Sequence, residues 1–158
     1  ASLDIPREEA QAFIDAYFAK YPGVDAFMER TLDEARTKGY VSTISGRRRP
    51  VQGVRSAASR GTKRQRLLPE RIAINSVIQG SAADLIKMAM IGVHRCLKAE
   101  PWQAKMLLQI HDELVFEAPP EELPRLQQMV VTEMSGVYPL SVPIKVDVKV
   151  GDNWAECE

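Results

Sequence analysis

His111, Asp112 and Glu113 lie between two apolar runs of strand length, Lys105-Met-Leu-Leu-Gln-Ile110 and Leu114-Val-Phe116. Adjacent carboxylates repel one another unless a cation lies between them, and their hard oxygens suit a divalent ion. The flanking runs predict central strands joined by a tight turn. Met106, Leu108 and Ile110 would point one way and Leu107 the other, so the first run is apolar on both faces. The turn carries His-Asp where tight hairpins prefer Asn-Gly, Asp-Gly or Gly-X. One reading is a divalent-metal site held on rigid strands. The other is a pair of solvated turn residues, since Asp favours turns for its own hydrogen bonding.

A second set of chemically useful residues is Arg71, Asn75 and Gln79. Spaced four apart on a helix, they line one side, and all three end in hydrogen-bond donors. An ordinary exposed face mixes Lys and Glu, and this one does not. Gly80-Ser-Ala-Ala83 follows, thin in side chains for over a turn. A donor row and a bare patch suit a helix lying along a surface of acceptors. A glycine inside a helix costs up to about 1 kcal/mol relative to alanine, so Gly80 and Gly92 invite a close approach to the backbone.

The chain has 158 residues, 45% hydrophobic and 27% charged, which predicts a globular domain or part of one. No apolar run looks long enough to span a bilayer, and no secretion signal opens the chain, so no membrane partner is expected. Cys96 and Cys157 lie far apart without metal-ligand spacing, which fits a reduced, cytoplasmic setting. Net charge is zero but unevenly placed. Between Glu34 and Glu70 there is no acidic residue, and that interval holds Arg36, Lys38, Arg47, Arg48, Arg49, Arg55, Arg60, Lys63, Arg64 and Arg66, 10 of the 21 basic residues. Such a block is a candidate for binding polyanions.

Pro6 is expected to open a first helix with Ala10, Phe13, Ile14, Tyr17 and Phe18 as its buried face. A second carries Val24, Phe27, Met28, Thr31, Leu32 and Ala35 and stops at Gly39 in a left-handed conformation. A short strand over 40–44 turns at Ser45-Gly46 and returns through Arg47 to Arg49, and a basic surface loop occupies about 47–68. A long helix runs from near Pro69 to about Leu97, and a shorter one from Glu121-Glu122 to Gly136. Ile144, Val146, Val148 and Val150 predict a last, half-buried strand, after which Trp154 would anchor the tail. The fold class is α+β: an antiparallel sheet packed on the long helix, preceded by a helical pair.

Glu70-Arg71-Ile-Ala-Ile-Asn75-Ser-Val-Ile-Gln79-Gly80-Ser-Ala-Ala-Asp84, followed by Gln109-Ile-His111-Asp112-Glu113-Leu-Val-Phe-Glu117, resembles a family A DNA polymerase, the bacterial DNA polymerase I type. The second segment is similar to motif C of that family, and the first to the palm helix that touches the primer–template minor groove. Gly39-Tyr40-Val-Ser-Thr43 with Gly46-Arg47-Arg48-Arg49, Pro6-Arg-Glu-Glu-Ala-Gln-Ala-Phe13, and Val142-Pro-Ile with Gly151-Asp-Asn-Trp154 match in the same order. The resemblance implies residues 1–39 from the rear of the fingers and 40–158 from the second half of a palm with its antiparallel sheet. It also implies a missing N-terminal part of the same polymerase, with the thumb, motif A and the nucleotide-binding fingers helix.

The implied reaction is attack of a primer 3′-hydroxyl on the α-phosphate of a dNTP, assisted by two Mg2+ ions. Asp112 would be one metal-holding aspartate and Glu113 its supporting carboxylate, the other aspartate coming from the missing segment. His111 would lie near the primer terminus. Arg71, Asn75 and Gln79 would read the minor groove, and Arg47 and Arg48 the phosphates. A cytoplasmic, nucleoid-associated enzyme of replication and repair follows, inactive as this piece alone. The alternatives are a non-catalytic DNA minor-groove-binding module and an unrelated hydrolase using His111, Asp112 and Glu113.

Overall fold

The computed structural model describes residues 6–54 and 67–157, and packing divides it into two compact units at Gly80 and Ser81. Arg55, Arg60, Lys63, Arg64 and Arg66 of the basic interval lie outside the described residues.

The first unit holds α1 (Arg7–Lys20), α2 (Pro22–Lys38), β1 (Tyr40–Ser42), β2 (Arg48–Pro50) and the start of α3 (Leu68–Ala99). Pro6 sits just before α1, and Glu8 and Glu9 occupy its first turn, where carboxylates suit the positive end of the helix dipole. Pro22 opens α2, where a missing N–H has no helical partner to lose. Gly39 closes α2 with φ 81°, a left-handed stop, and its N–H donates to the Ala35 carbonyl at 2.9 Å. β1 and β2 pair antiparallel, with Tyr40 opposite Pro50 and Ser42 opposite Arg48.

Leu32, Ala35, Val41, Val51, Val54, Ala73 and Ile74 form the core of this unit, with Met28 and Val77 against it. The face expected of α2 is therefore the buried one. The face expected of α1 is not: Phe13 is 74% exposed, and Ile14 and Tyr17 are also exposed. Periodicity identified an apolar stripe, but no described element covers it. At its end Tyr17 makes ring contacts with Phe18 and Tyr21, at 5.4 and 5.1 Å between centroids.

Glu70 is a buried carboxylate in the first turn of α3. One oxygen takes Arg36 Nη2 at 2.6 Å, and the other takes the Leu67 N–H at 3.1 Å. The second bond is half of a capping box, satisfying an amide that precedes the helix. The first fixes α3 to α2.

The second unit holds the rest of α3, β3 (Lys105–Ile110), β4 (Glu113–Glu117), a 3-10 turn at Pro120–Glu122 and α4 (Leu123–Ser135). Val93, Ala104, Leu126 and Val130 form its core, joined by Leu97, Trp102, Met106 and Phe116. One side of the β3–β4 hairpin and one side of α4 thus close over the C-terminal half of α3. Glu122 accepts the N–H groups of Gln103 and Ala104 at 3.0 and 2.9 Å, fixing the entry to β3. Gly92 is where Glu133 of α4 crosses α3, in the space a side chain at 92 would fill.

Several expectations need correction here. The register shifts between Met106 and Leu108, and Leu107 and Leu108 are both exposed. A bulge breaks the strict alternation, and among the described residues β3 has one neighbouring strand, not two. Residues 144–150 belong to no ladder; Ile144 and Val146 are half-buried, while Val148 and Val150 are exposed. Alternation marks a strand only when a neighbour supplies the hydrogen bonds. Trp154 is 52% exposed and belongs to neither core cluster among the described residues. By length and composition α3 does qualify as a membrane-crossing helix. Its uncharged run between Arg71 and Asp84 is 12 residues, about 18 Å at 1.5 Å per residue, short of the roughly 30 Å a bilayer core requires.

Glu70→Ala removes the Arg36–Glu70 contact and uncaps the Leu67 amide, while Arg36 keeps its ion pair to Asp33, so the loss is expected at the low end of the range for breaking a buried pair. The expected loss is about 3 kcal/mol, measured as a lower urea midpoint at unchanged slope.

Candidate functional site

In the first unit, the donor row is set by which side of α3 is buried. Ala73, Ile74 and Ser76 are buried and Val77 half-buried, so Arg71, Asn75 and Gln79 emerge on the exposed side. The Ser76 hydroxyl is satisfied by the Ile72 carbonyl at 2.5 Å. Among the described residues, no hydrogen bond or ion pair uses the side chains of Arg71, Asn75 or Gln79. Ile72 and Ile78 are exposed beside them. The surface alternates donors with apolar side chains, suited to an acceptor-bearing surface that also has apolar walls.

The β1–β2 hairpin contributes two of the expected basic residues. Arg48 lies over the Tyr40 ring, 5.0 Å from its centroid, which orients the guanidinium by cation–π attraction. Arg47 Nη2 donates to the carbonyl of Gly80 at 3.1 Å. Gly80 is not bare: a Cβ built there would stand 2.7 Å from Thr43 Cγ2. The close approach that this glycine announced is made by the chain's own hairpin turn.

In the second unit, the β3–β4 hairpin turns through His111 and Asp112, with Ile110 opposite Glu113. His111 has φ 52°, the one positive φ among the described non-glycine residues. A left-handed backbone is what Gly or Asn would otherwise supply, and for histidine it costs roughly 1–2 kcal/mol. The Gln109 side-chain amide donates to the His111 carbonyl and helps to hold the turn. His111, Asp112 and Glu113 are all exposed. Neither carboxylate has an ion-pair partner among the described residues.

Those carboxylates fit magnesium in kind and number. Mg2+ commonly uses one or two protein carboxylates and completes its shell with water and substrate phosphates. A protein-only cage is not available, because no group of three His, Cys, Asp or Glu that could hold a metal occurs among the described residues. Sequence reasoning missed the buried carboxylates Glu70 and Asp84, which no pattern of types separates from ordinary helix acids. It also missed the Arg47–Gly80 contact, for which the glycine itself was the available signal.

The chain is 47% identical over 152 residues to the thermostable DNA polymerase I of Thermus aquaticus, covering 96% of this chain and 18% of that relative. It is 45% identical to DNA polymerase I of Bacillus caldotenax, covering 99% of this chain and 17% of that one. It thus spans under a fifth of the length of these relatives. Among solved structures, the POL domain of Pol1 from M. smegmatis, in complex with DNA primer-template and dNTP, superposes with a TM-score of 0.85 at 40% identity. That likeness covers 97% of this chain and 26% of that one. The family model for DNA polymerase family A matches residues 1–156, and the motif pattern, the fold and these relatives agree with it: the chain belongs to DNA polymerase family A.

Proposed function

We propose that the chain is the C-terminal portion of a template-directed DNA polymerase, with 1–39 from the fingers and 40–158 from the palm. The observation that carries this is the exposure of Asp112 and Glu113 on a firmly held hairpin tip, in a chain of family A. The related M. smegmatis domain is described with primer-template and dNTP, and the same partners are proposed here, together with the remaining N-terminal part of the polymerase. The setting proposed is the cytoplasm, at the nucleoid.

Asp112 is proposed to hold Mg2+, with Glu113 supporting it and a further aspartate supplied by the rest of the enzyme. The bound ions supply charge stabilisation for the attacking and leaving oxygens of nucleotidyl transfer. What the chain itself does is present the carboxylate at a fixed place: the turn is braced by Gln109 and the hairpin is packed on α3 through Met106 and Phe116. His111, at the same tip, is proposed to lie near the primer terminus.

The row Arg71, Asn75 and Gln79 is proposed to bind the minor groove. Every Watson–Crick pair presents acceptors there, purine N3 and pyrimidine O2, in nearly equivalent places. Donors aimed at them hold any correct sequence alike. A mispair moves the acceptors and leaves a buried donor unpaired, at about 1–3 kcal/mol each. Arg47 and Arg48 on the hairpin are proposed to add phosphate contacts, which carry no sequence information.

A second reading, a DNA-binding module without chemistry, rests on the exposed donor row Arg71, Asn75 and Gln79 alone. Primer extension separates the two. The chain alone should extend nothing, and the intact polymerase should extend in a magnesium-dependent way. In that enzyme Asp112→Asn should lower kcat at least roughly a hundredfold, with primer-template affinity retained; an undiminished kcat would remove Asp112 from the metal site. Gln79→Ala should slow extension of matched primers and reduce the matched-to-mismatched ratio roughly tenfold, the equivalent of one lost buried hydrogen bond. Neutralising Arg47, Arg48 and Arg49 together should flatten the salt dependence of DNA binding by about one slope unit for each phosphate no longer neutralised. An unaltered slope would return the block to solvent.

A further inference from the structure

The β1–β2 turn is built as a rigid block. The Thr43 N–H donates to the Arg47 carbonyl and the Gly46 N–H to the Thr43 carbonyl, both at 2.9 Å. The Thr43 hydroxyl accepts the Arg47 N–H at 3.1 Å and lies 3.2 Å from the Ser45 hydroxyl. Gly46 takes the left-handed conformation the turn needs, with φ 82°. This block presents the Thr43 methyl to α3 at Gly80, where any β-carbon would stand 2.7 Å from it. Threonine is β-branched and stiff at χ1, so the methyl cannot swing away cheaply. Arg47 Nη2 then donates to the Gly80 carbonyl at 3.1 Å. Steric fit and a directed hydrogen bond therefore meet at one residue, next in sequence to Gln79.

We infer that Thr43 and Arg47 are positioning residues for Gln79. The turn is a wedge seated on α3 at Gly80, and the seat fixes where the Gln79 amide is held. The same contact ties the hairpin that bears Arg48 to the helix that bears the donor row, so phosphate grip and base-pair reading share one frame. This rests on the proposed minor-groove role of Gln79 and adds to it. Arg47 acts through α3 as well as through its charge, and Gly80 is glycine because the wedge occupies the place of its side chain.

The test is made in the intact polymerase, reading the ratio of matched to mismatched primer extension and the salt slope of DNA binding. Gly80→Ala pushes the methyl and the helix apart. The ratio should fall roughly tenfold, because small misplacements of a contacting group are costly. Adding Thr43→Ser removes the methyl, keeps the hydroxyl that closes the turn, and should restore the ratio to within about twofold of the parent. Arg47→Lys keeps the charge but loses the planar fork. The ratio should fall while the salt slope stays as it was. If Gly80→Ala does not fold, this arm still decides. Gln79→Ala, run alongside, separates the two levels. Should it leave the ratio unchanged, the donor-row reading fails and the wedge has nothing to position. Should Gln79→Ala lower the ratio while Thr43→Ser fails to rescue Gly80→Ala, or Arg47→Lys behaves as the parent, the wedge alone is overturned.

Discussion

A buried negative charge at the start of α3 constrains the first unit more than any other single group. Glu70 lies out of water, and a carboxylate there is tolerable only if both oxygens are satisfied. They are, by Arg36 from α2 and by the Leu67 amide that leads into the helix. The two bonds fix different things. The amide bond fixes where α3 begins, and the ion pair fixes how it is rotated against α2. Rotation decides which residues face the core. With Ala73 and Ile74 turned inward, residues 71, 75 and 79 have no choice but to face out. The donor row thus follows from the burial of Ala73 and Ile74, with the ion pair at the head of the helix holding the same side of α3 against α2.

The long helix is then used as a rail with two notches. At Gly80 it receives the Thr43 methyl, and at Gly92 it receives Glu133. Each unit repeats the same device: a missing side chain lets another element lie against the helix backbone. The two notches are not equivalent. Glu133 reaches Gly92 with the end of a flexible side chain, so its contact can adjust. Thr43 meets Gly80 with a branched carbon close to its own backbone, and that contact cannot.

This distinction marks the limit of what the sequence makes legible. The helices, the Gly39 stop and the two strand runs of the hairpin at 105–117 follow from periodicity and helix-end chemistry, and the structure has them. The two helix glycines also announced close approach, but not by what. Most of what the reading missed concerns burial. Phe13 on α1, Leu108 on β3 and Val148 near the end all belong to apolar patterns, yet all are exposed. A pattern says which face avoids water; it does not say that the covering surface lies within these residues. His111 is a different case. The two-residue loop was legible from the lengths of the flanking runs, but its left-handed φ was not, because nothing in the residue type demands it.

On the proposed reading, the spacing of the donor row has a geometric meaning beyond its exposure. Residues four apart on an α-helix are separated by about 6 Å along the axis, and base pairs in B-DNA by about 3.4 Å. Successive donors on α3 would therefore fall nearly two base pairs apart, and the row from Arg71 to Gln79 would cover between three and four. Flexible donors could not hold such a match, since each would find an acceptor wherever one happened to be. Discrimination requires that a displaced acceptor be missed. The rigidity of α3, anchored at Glu70 and notched at Gly80 on either side of the row, is thus what would turn three hydrogen bonds from adhesion into measurement.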